Sequence, residues 1–166
     1  IIFTNSHKPR YQSATSILCF NEMKKHELIY GELTYKINGI LFEVSGKLGT
    51  YRNEKQYCDA IEKPLKTHGI KYEREFIVPP SFEGERPGRS KVDFLIEDRI
   101  VLEVKAKPFI TKQDYYQTMR YLKALRKKLA ILVNMHRHSV TPKRVLNSEA
   151  ETVEEQVLRN PHYPQR

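Results

Sequence analysis

The chain has 166 residues and a formal net charge of +9. That length supports one domain with a buried core, and no apolar run approaches the roughly 20 residues that a membrane span needs. Its 30% charged and 39% hydrophobic residues are those of an ordinary globular protein, with no internal repeat or low-complexity tract.

Residues 1–22 have no basic segment ahead of a long apolar stretch, so they do not read as a signal peptide. They are set aside as an extension of uncertain origin, with Met23 as a natural start. The core domain is expected over 23–147 and a C-terminal helical tail over 148–166. The two cysteines, Cys19 and Cys58, form no CxxC pair and no zinc-type cluster with histidine. They are expected to be reduced thiols in a cytoplasmic protein. His136 and His138 lack a third ligand at metal spacing and are expected in a solvated loop.

From about Asn21 to Lys47 the residues Ile29, Leu33, Ile37, Ile40, Leu41, Val44 and Leu48 recur at three- and four-residue steps. This predicts an amphipathic helix ending at Gly46 or Gly49. A second helix is predicted over about Asn53–Thr67, with Tyr57, Ile61 and Leu65 on its buried face and Gly69 at its C-terminal cap. The period then changes. Tyr72–Val78 reads as a strand closed by Pro79-Pro80, and Ser81–Ser90 reads as a loop. Lys91–Ile96 and Ile100–Ala106 are predicted strands joined by a tight turn at Glu97-Asp98-Arg99. Thr111 opens a third helix, with Asp114 completing a capping box, and this helix is expected to run to about Lys127 with a basic last turn. Leu129–Met135 is a continuous apolar run, as a buried strand requires, and Lys143–Asn147 is a short final strand. Ser148–Arg166 reads as a peripheral charged helix fraying at Pro161 and Pro164. Helix, helix, three strands, helix and two strands imply an α/β architecture, with helices flanking one central mixed sheet.

The hairpin carries the chemistry. If Asp98 is its centre, Ile96 faces Ile100, Phe94 faces Leu102 and Val92 faces Val104, all on one apolar face. Asp93 then faces Glu103 on the opposite side, and Lys105 follows on that side two residues later. Directly opposed positions bring two carboxylates roughly 5 Å apart at Cβ, where they repel unless something compensates. A hard divalent cation does so, and oxygen ligands suit Mg²⁺ or Mn²⁺. The alternative is a solvated amphipathic hairpin. Against it, Leu95 and Val101 share the polar face, Glu54 lies on the buried stripe of the second helix, and Gln117 and Tyr121 lie four apart on the third.

Asp93 followed by Glu103-Val104-Lys105 resembles the D…(D/E)xK signature of the PD-(D/E)XK nuclease superfamily, with Val92 in place of the Pro. Gln117 and Tyr121 resemble the QxxxY motif of its RecB-like members. Glu54 and Tyr57, Val92–Asp98, Val101–Ala106 and Gln117–Lys123 together resemble the prokaryotic GxxExxY family, although Tyr51 stands where its first Gly would be. The resemblance covers about Leu28 to Asn147. It implies a restriction-endonuclease-like core that hydrolyses phosphodiester bonds of nucleic acid, DNA before RNA. Asp93, Glu103 and the Val104 carbonyl would hold Mg²⁺ or Mn²⁺, with help from Glu54. Lys105 would orient a bound water or stabilise the growing charge, Gln117 would hold the site or the substrate, and Tyr121 would either touch a sugar or base or serve in packing. The basic clusters suggest Arg89, Lys91 and Arg120 as phosphate contacts. The competing expectations are a metal-free nucleic-acid-binding module on the same fold and an interaction subunit docking through its C-terminal segment.

Overall fold

The computed structural model describes residues 28–160 apart from 81 and 137. The expected extension over 1–22, the start of the first helix before residue 28, Cys19, and the end of the tail at 161–166 lie outside the described residues. The chain divides into two units between Gly31 and Glu32. Of the first, the described part is a turn in which the Gly31 N–H donates to the Leu28 carbonyl at 2.8 Å, with Tyr30 at a φ of 52°.

Helix α1 spans Gly31–Leu48 and buries Ile37, Ile40, Leu41 and Val44, the stripe that the spacing predicts. It begins at Gly31, so Ile29 belongs to the preceding turn. Helix α2 spans Glu54–Thr67 and buries Tyr57, Cys58, Ile61 and Leu65. Its N-terminus is closed by a capping box between Asn53 and Gln56. Its C-terminus turns through Gly69 at a φ of +64°, letting the Ile70 N–H reach back to the Leu65 carbonyl.

Five strands follow, β1 (Tyr72–Ile77), β2 (Lys91–Ile96), β3 (Ile100–Lys105), β4 (Leu129–Asn134) and β5 (Lys143–Leu146), in one sheet of that spatial order. All neighbours are antiparallel except β3 and β4, which run parallel. Parallel neighbours need a crossover, and helix α3 (Lys112–Ala124) supplies it. A last helix, α4 (Val153–Arg159), buries none of its side chains, so the peripheral helix expected after Ser148 is a short one. The protein is therefore an α/β sandwich around a mixed sheet, as its sequence predicts.

The two faces are covered by different helices. Arg74 of β1 leans over the Phe94 ring at 5.0 Å and ion-pairs with Asp59 and Glu62 of α2. That face belongs to α2. Arg144 of β5 donates to Thr34 of α1 at 2.8 Å, while its neighbour Val145 packs with Leu95, Val101, Ala130 and Leu132 of the sheet and Tyr121 and Leu122 of α3. Helix α3 thus covers the opposite face. β4, flanked on both sides, is buried along its entire length.

Two expectations are corrected here. Helix α3 ends at Ala124, short of Lys127, because Arg126 adopts a φ of 51° and the Lys127 N–H returns to the Leu122 carbonyl. The basic residues after it do not serve the helix dipole. Lys127 instead clamps the hairpin tip, with Nζ 2.7 Å from both the Asp98 carbonyl and its carboxylate. Val92 also departs from the apolar face assigned to it. It packs with Leu95 and Val101 on the α3 side, whereas Phe94 lies under Arg74 on the α2 side.

The predicted capping box of α3 is present. Thr111 Oγ1 accepts from the Asp114 N–H, and the Asp114 carboxylate accepts from the Thr111 N–H at 2.7 Å and from its hydroxyl at 2.8 Å. Thr111→Ala should cost about 1 kcal/mol. A thermal melt followed by circular dichroism should show the midpoint lowered by about 2–4 °C, and an unchanged midpoint would contradict the role of this cap.

Candidate active site

The β2–β3 register runs through Ile96↔Ile100, Leu95↔Val101 and Phe94↔Leu102, so Asp98 is the centre of the hairpin, as the apolar pattern predicts. The ladder stops one pair short of Asp93 and Glu103. There the Asp93 carboxylate takes the place of a strand partner, accepting the Val104 N–H at 2.7 Å. Asp93 is also where β2 changes layers. Its neighbours Val92 and Phe94 lie on opposite helical layers, and Glu75, which falls between the β1 residues that pair with them, has a φ of 49°.

Glu103 is buried, at 2% exposure. One carboxylate oxygen accepts from the Lys105 ammonium at 3.3 Å. The other, Oε1, is buried with no hydrogen-bond partner. An acid without full compensation holds its proton tightly. Burial, then the neighbouring Asp93 charge, pushes the Glu103 carboxyl up to about 7 against the opposing pull of Lys105. Asp93 is likewise raised, chiefly by burial, although the Val104 N–H and Lys105 favour its charged form. Burial disfavours the charge on Lys105, but Glu103, Glu54 and Asp93 outweigh it and hold the ammonium above its ordinary range. The cluster has more acids than bases to neutralise them.

Glu54 joins from the first turn of α2, its carboxylate accepting the Ala106 N–H at 3.3 Å. It is placed there by the buried stripe of Tyr57, Ile61 and Leu65 one turn on, and the Tyr57 hydroxyl fixes the helix entry by donating to the Gly49 carbonyl at 2.6 Å. Four of the predicted residues, Asp93, Glu103, Lys105 and Glu54, therefore meet where β2 and β3 part, with Val104 between the latter two strands' polar groups.

Gln117 and Tyr121 are brought to each other. The Gln117 amide donates to the Tyr121 hydroxyl at 2.8 Å, and the Tyr121 ring is buried in the core. Of the two roles expected for Tyr121, its place in the core is the packing one. Among the described residues, Gln117 makes no hydrogen bond to Asp93 or Glu103. Arg89, Lys91 and Arg120 are all exposed, and Lys91 pairs with Glu75 at 3.3 Å. His136 and His138 are exposed as expected.

Three neighbours of the site escaped the sequence reading. Cys58, one turn after Glu54, is buried close enough to Asp93 for burial and that charge to push its thiol upward, and Arg74 contributes positive potential to Asp93. Asn134 stands opposite Lys105 in the parallel ladder and binds both backbone groups of Lys107. The signal for Asn134 was a polar residue inside an otherwise apolar strand.

Whether a cation suits these residues can be judged from their chemistry. Among the described residues, no three of His, Cys, Asp and Glu converge tightly enough to enclose an ion unaided. Mg²⁺, however, typically takes one or two carboxylates and completes its shell with water and substrate oxygen. A buried, unpartnered Glu103 oxygen beside a second carboxylate meets that need.

A family model described as the PD-(D/E)XK nuclease superfamily matches residues 31–145. The chain belongs to the PD-(D/E)XK nuclease superfamily. No match was found among curated proteins or among solved structures.

Proposed function

We propose that this protein is a metal-dependent nuclease that hydrolyses phosphodiester bonds of nucleic acid, DNA in the first instance. The observation that carries the reading is Glu103. Its buried carboxylate, half-bonded beside Asp93 and Lys105, is a poor structural group and a good ligand. Within the superfamily, Glu54, Tyr57 and the spacing of the later motifs support a place near the GxxExxY proteins.

Asp93, Glu103 and the Val104 carbonyl would hold Mg²⁺ or Mn²⁺, with Glu54 reaching a bound water from the α2 side. A bound ion would supply a polarised phosphoryl oxygen and a water of lowered pKa. Lys105 keeps its charge in this setting, and an ammonium has three donors. With one directed at Glu103, the others remain for the negative charge that grows on the phosphate. Asp93, anchored by the Val104 N–H, holds β2 and β3 at the separation the site needs. Exposed cations such as Arg89 and Arg120 would contact phosphates without reading sequence.

The test is a cleavage panel of single-stranded DNA, duplex DNA and RNA with Mg²⁺ or Mn²⁺. Lys105→Ala should lower the rate about a hundredfold while changing substrate affinity little, as expected for a contact made mainly in the transition state. A wild-type chain inert on every substrate with both ions would overturn catalysis and favour a binding module on the same fold.

A further inference from the structure

We infer that the loop and helix start following β3 form a stacking platform for the bases of a single-stranded nucleic acid beside the acidic cluster. The inference rests on the nuclease reading for its orientation and names the form of substrate.

The loop over 106–111 leaves β3 immediately after Lys105 and is firmly held. Asn134 accepts the Lys107 N–H at 3.3 Å and donates to the Lys107 carbonyl at 2.6 Å. Glu54 takes the Ala106 N–H. The Lys107 ammonium ion-pairs with the buried Asp114 at 2.5 Å, and the same Asp114 carboxylate closes on Thr111. Burial alone would raise that carboxyl, but Lys107 and Thr111 hold it below the usual range. These bonds tie down the backbone of Ala106, Lys107 and Thr111 at the two ends of the loop.

What the frame presents is apolar. Phe109 is 72% exposed, Tyr116 62% and Tyr115 43%. The two tyrosine rings stand edge to face, centroids 6.0 Å apart. Three exposed aromatic rings within eight residues of the chain, two of them edge to face, make apolar surface that calls for a ligand. Its surroundings indicate which. Lys112, Tyr116 and Arg120 recur at four-residue steps on one exposed face of α3, and neither Lys112 nor Arg120 makes an ion pair among the described residues. A cation, a ring and a cation along one line suit a phosphate backbone with bases turned onto the ring. Aromatic stacking of this kind accepts any base and needs bases that are unpaired. A duplex hides its base faces and would gain from the cations alone. The excess of positive charge over the chain favours a polyanion over an acidic-rimmed protein partner.

The test uses the full chain in chelator, so that binding is read without cleavage. Fluorescence anisotropy would compare a labelled mixed-sequence single-stranded oligonucleotide with the blunt duplex of the same sequence. Wild type should prefer the single strand about tenfold or more. Phe109→Ala and Tyr116→Ala should each weaken single-strand binding roughly tenfold and leave the weaker duplex binding in place. Phe109→Trp should retain affinity where Phe109→Leu loses it, which separates a ring from mere bulk. Equal affinity for strand and duplex, or variants that bind the single strand like wild type, would overturn the platform and point to a protein-docking patch. The two readings separate cleanly. Ring-dependent strand binding in a chain that cleaves nothing with Mg²⁺ or Mn²⁺ would remove the nuclease and keep the platform, whereas ring-independent cleavage of strand and duplex alike would do the reverse.

Discussion

Asp93→Ala and Glu103→Ala should each reduce Mg²⁺-dependent cleavage by on the order of a thousandfold or more, since a metal-centred charge stabilisation is worth several kcal/mol and each 1.36 kcal/mol is a factor of ten. The measurement is an initial-rate assay at saturating ion, run beside circular dichroism to confirm that each variant is folded. Asp93→Asn separates charge from packing, because its amide oxygen can still accept the Val104 N–H that Asp93 takes at 2.7 Å. It should fold like wild type and remain as inactive as the alanine variant. A Glu103→Ala enzyme within about tenfold of wild type would place hydrolysis elsewhere on the molecule.

The same substitution site should behave in the opposite way when stability is measured. In the folded chain without metal, Glu103 takes up its proton at about pH 7, against an ordinary value of 4.5. Between those values the folded state holds more protons than the unfolded one, so stability falls as pH rises through this window, and the deficit is complete above it. Asp93 is displaced in the same direction, chiefly by its own burial, and adds to the loss. The cost above pH 7 is on the order of 3 kcal/mol. Urea unfolding in chelator should therefore show the wild-type chain losing stability from pH 5 to pH 8 while Glu103→Gln loses much less, leaving the variant the more stable of the two at pH 8. Adding Mg²⁺ at pH 8 should raise the wild-type midpoint and leave that of Glu103→Gln nearly unmoved. Parallel pH profiles for the two chains would show that Glu103 carries no such penalty. The two outcomes together would mark Glu103 as an acid kept for chemistry and not for the fold.

Much of this was legible in the residues. The alternation of Val92 to Ile96 against Ile100 to Val104 predicts both the hairpin and its register, because shifting by one residue would expose an entire apolar set. The stripes Ile37–Val44 and Tyr57–Leu65 predict two helices, and Thr111 with Asp114 predicts the start of a third. The meeting of Asp93, Glu103 and Lys105 follows from the same register, and the resemblance to a nuclease family agrees with the model matched over residues 31–145. What was not legible depends on backbone that local pattern does not encode. Left-handed Arg126 ended α3 early, since nothing in Leu125-Arg126-Lys127 resembles a glycine cap. The displacement of Val92 from Phe94's face coincides with Glu75 of the neighbouring strand at a φ of 49°. For Tyr121 both substrate contact and packing stayed open, because helix spacing alone does not tell which side of a helix the sheet lies on. Asn134 was absorbed into an apolar run, although a buried amide always needs partners and here found both groups of Lys107.

The change of layer at Asp93 has a consequence for how such a chain can vary. An inserted or deleted residue in an ordinary strand exchanges its wet and dry sides. In β2, which delivers Phe94 to one stack of helices and Val92 to the other, an insertion or deletion would send bulky groups into the wrong interior on one side of the acid or the other. The carboxylate's address along the strand is thus guarded by architecture, so drift in length is confined to the connecting segments, and the acidic cluster inherits the durability of the scaffold around it.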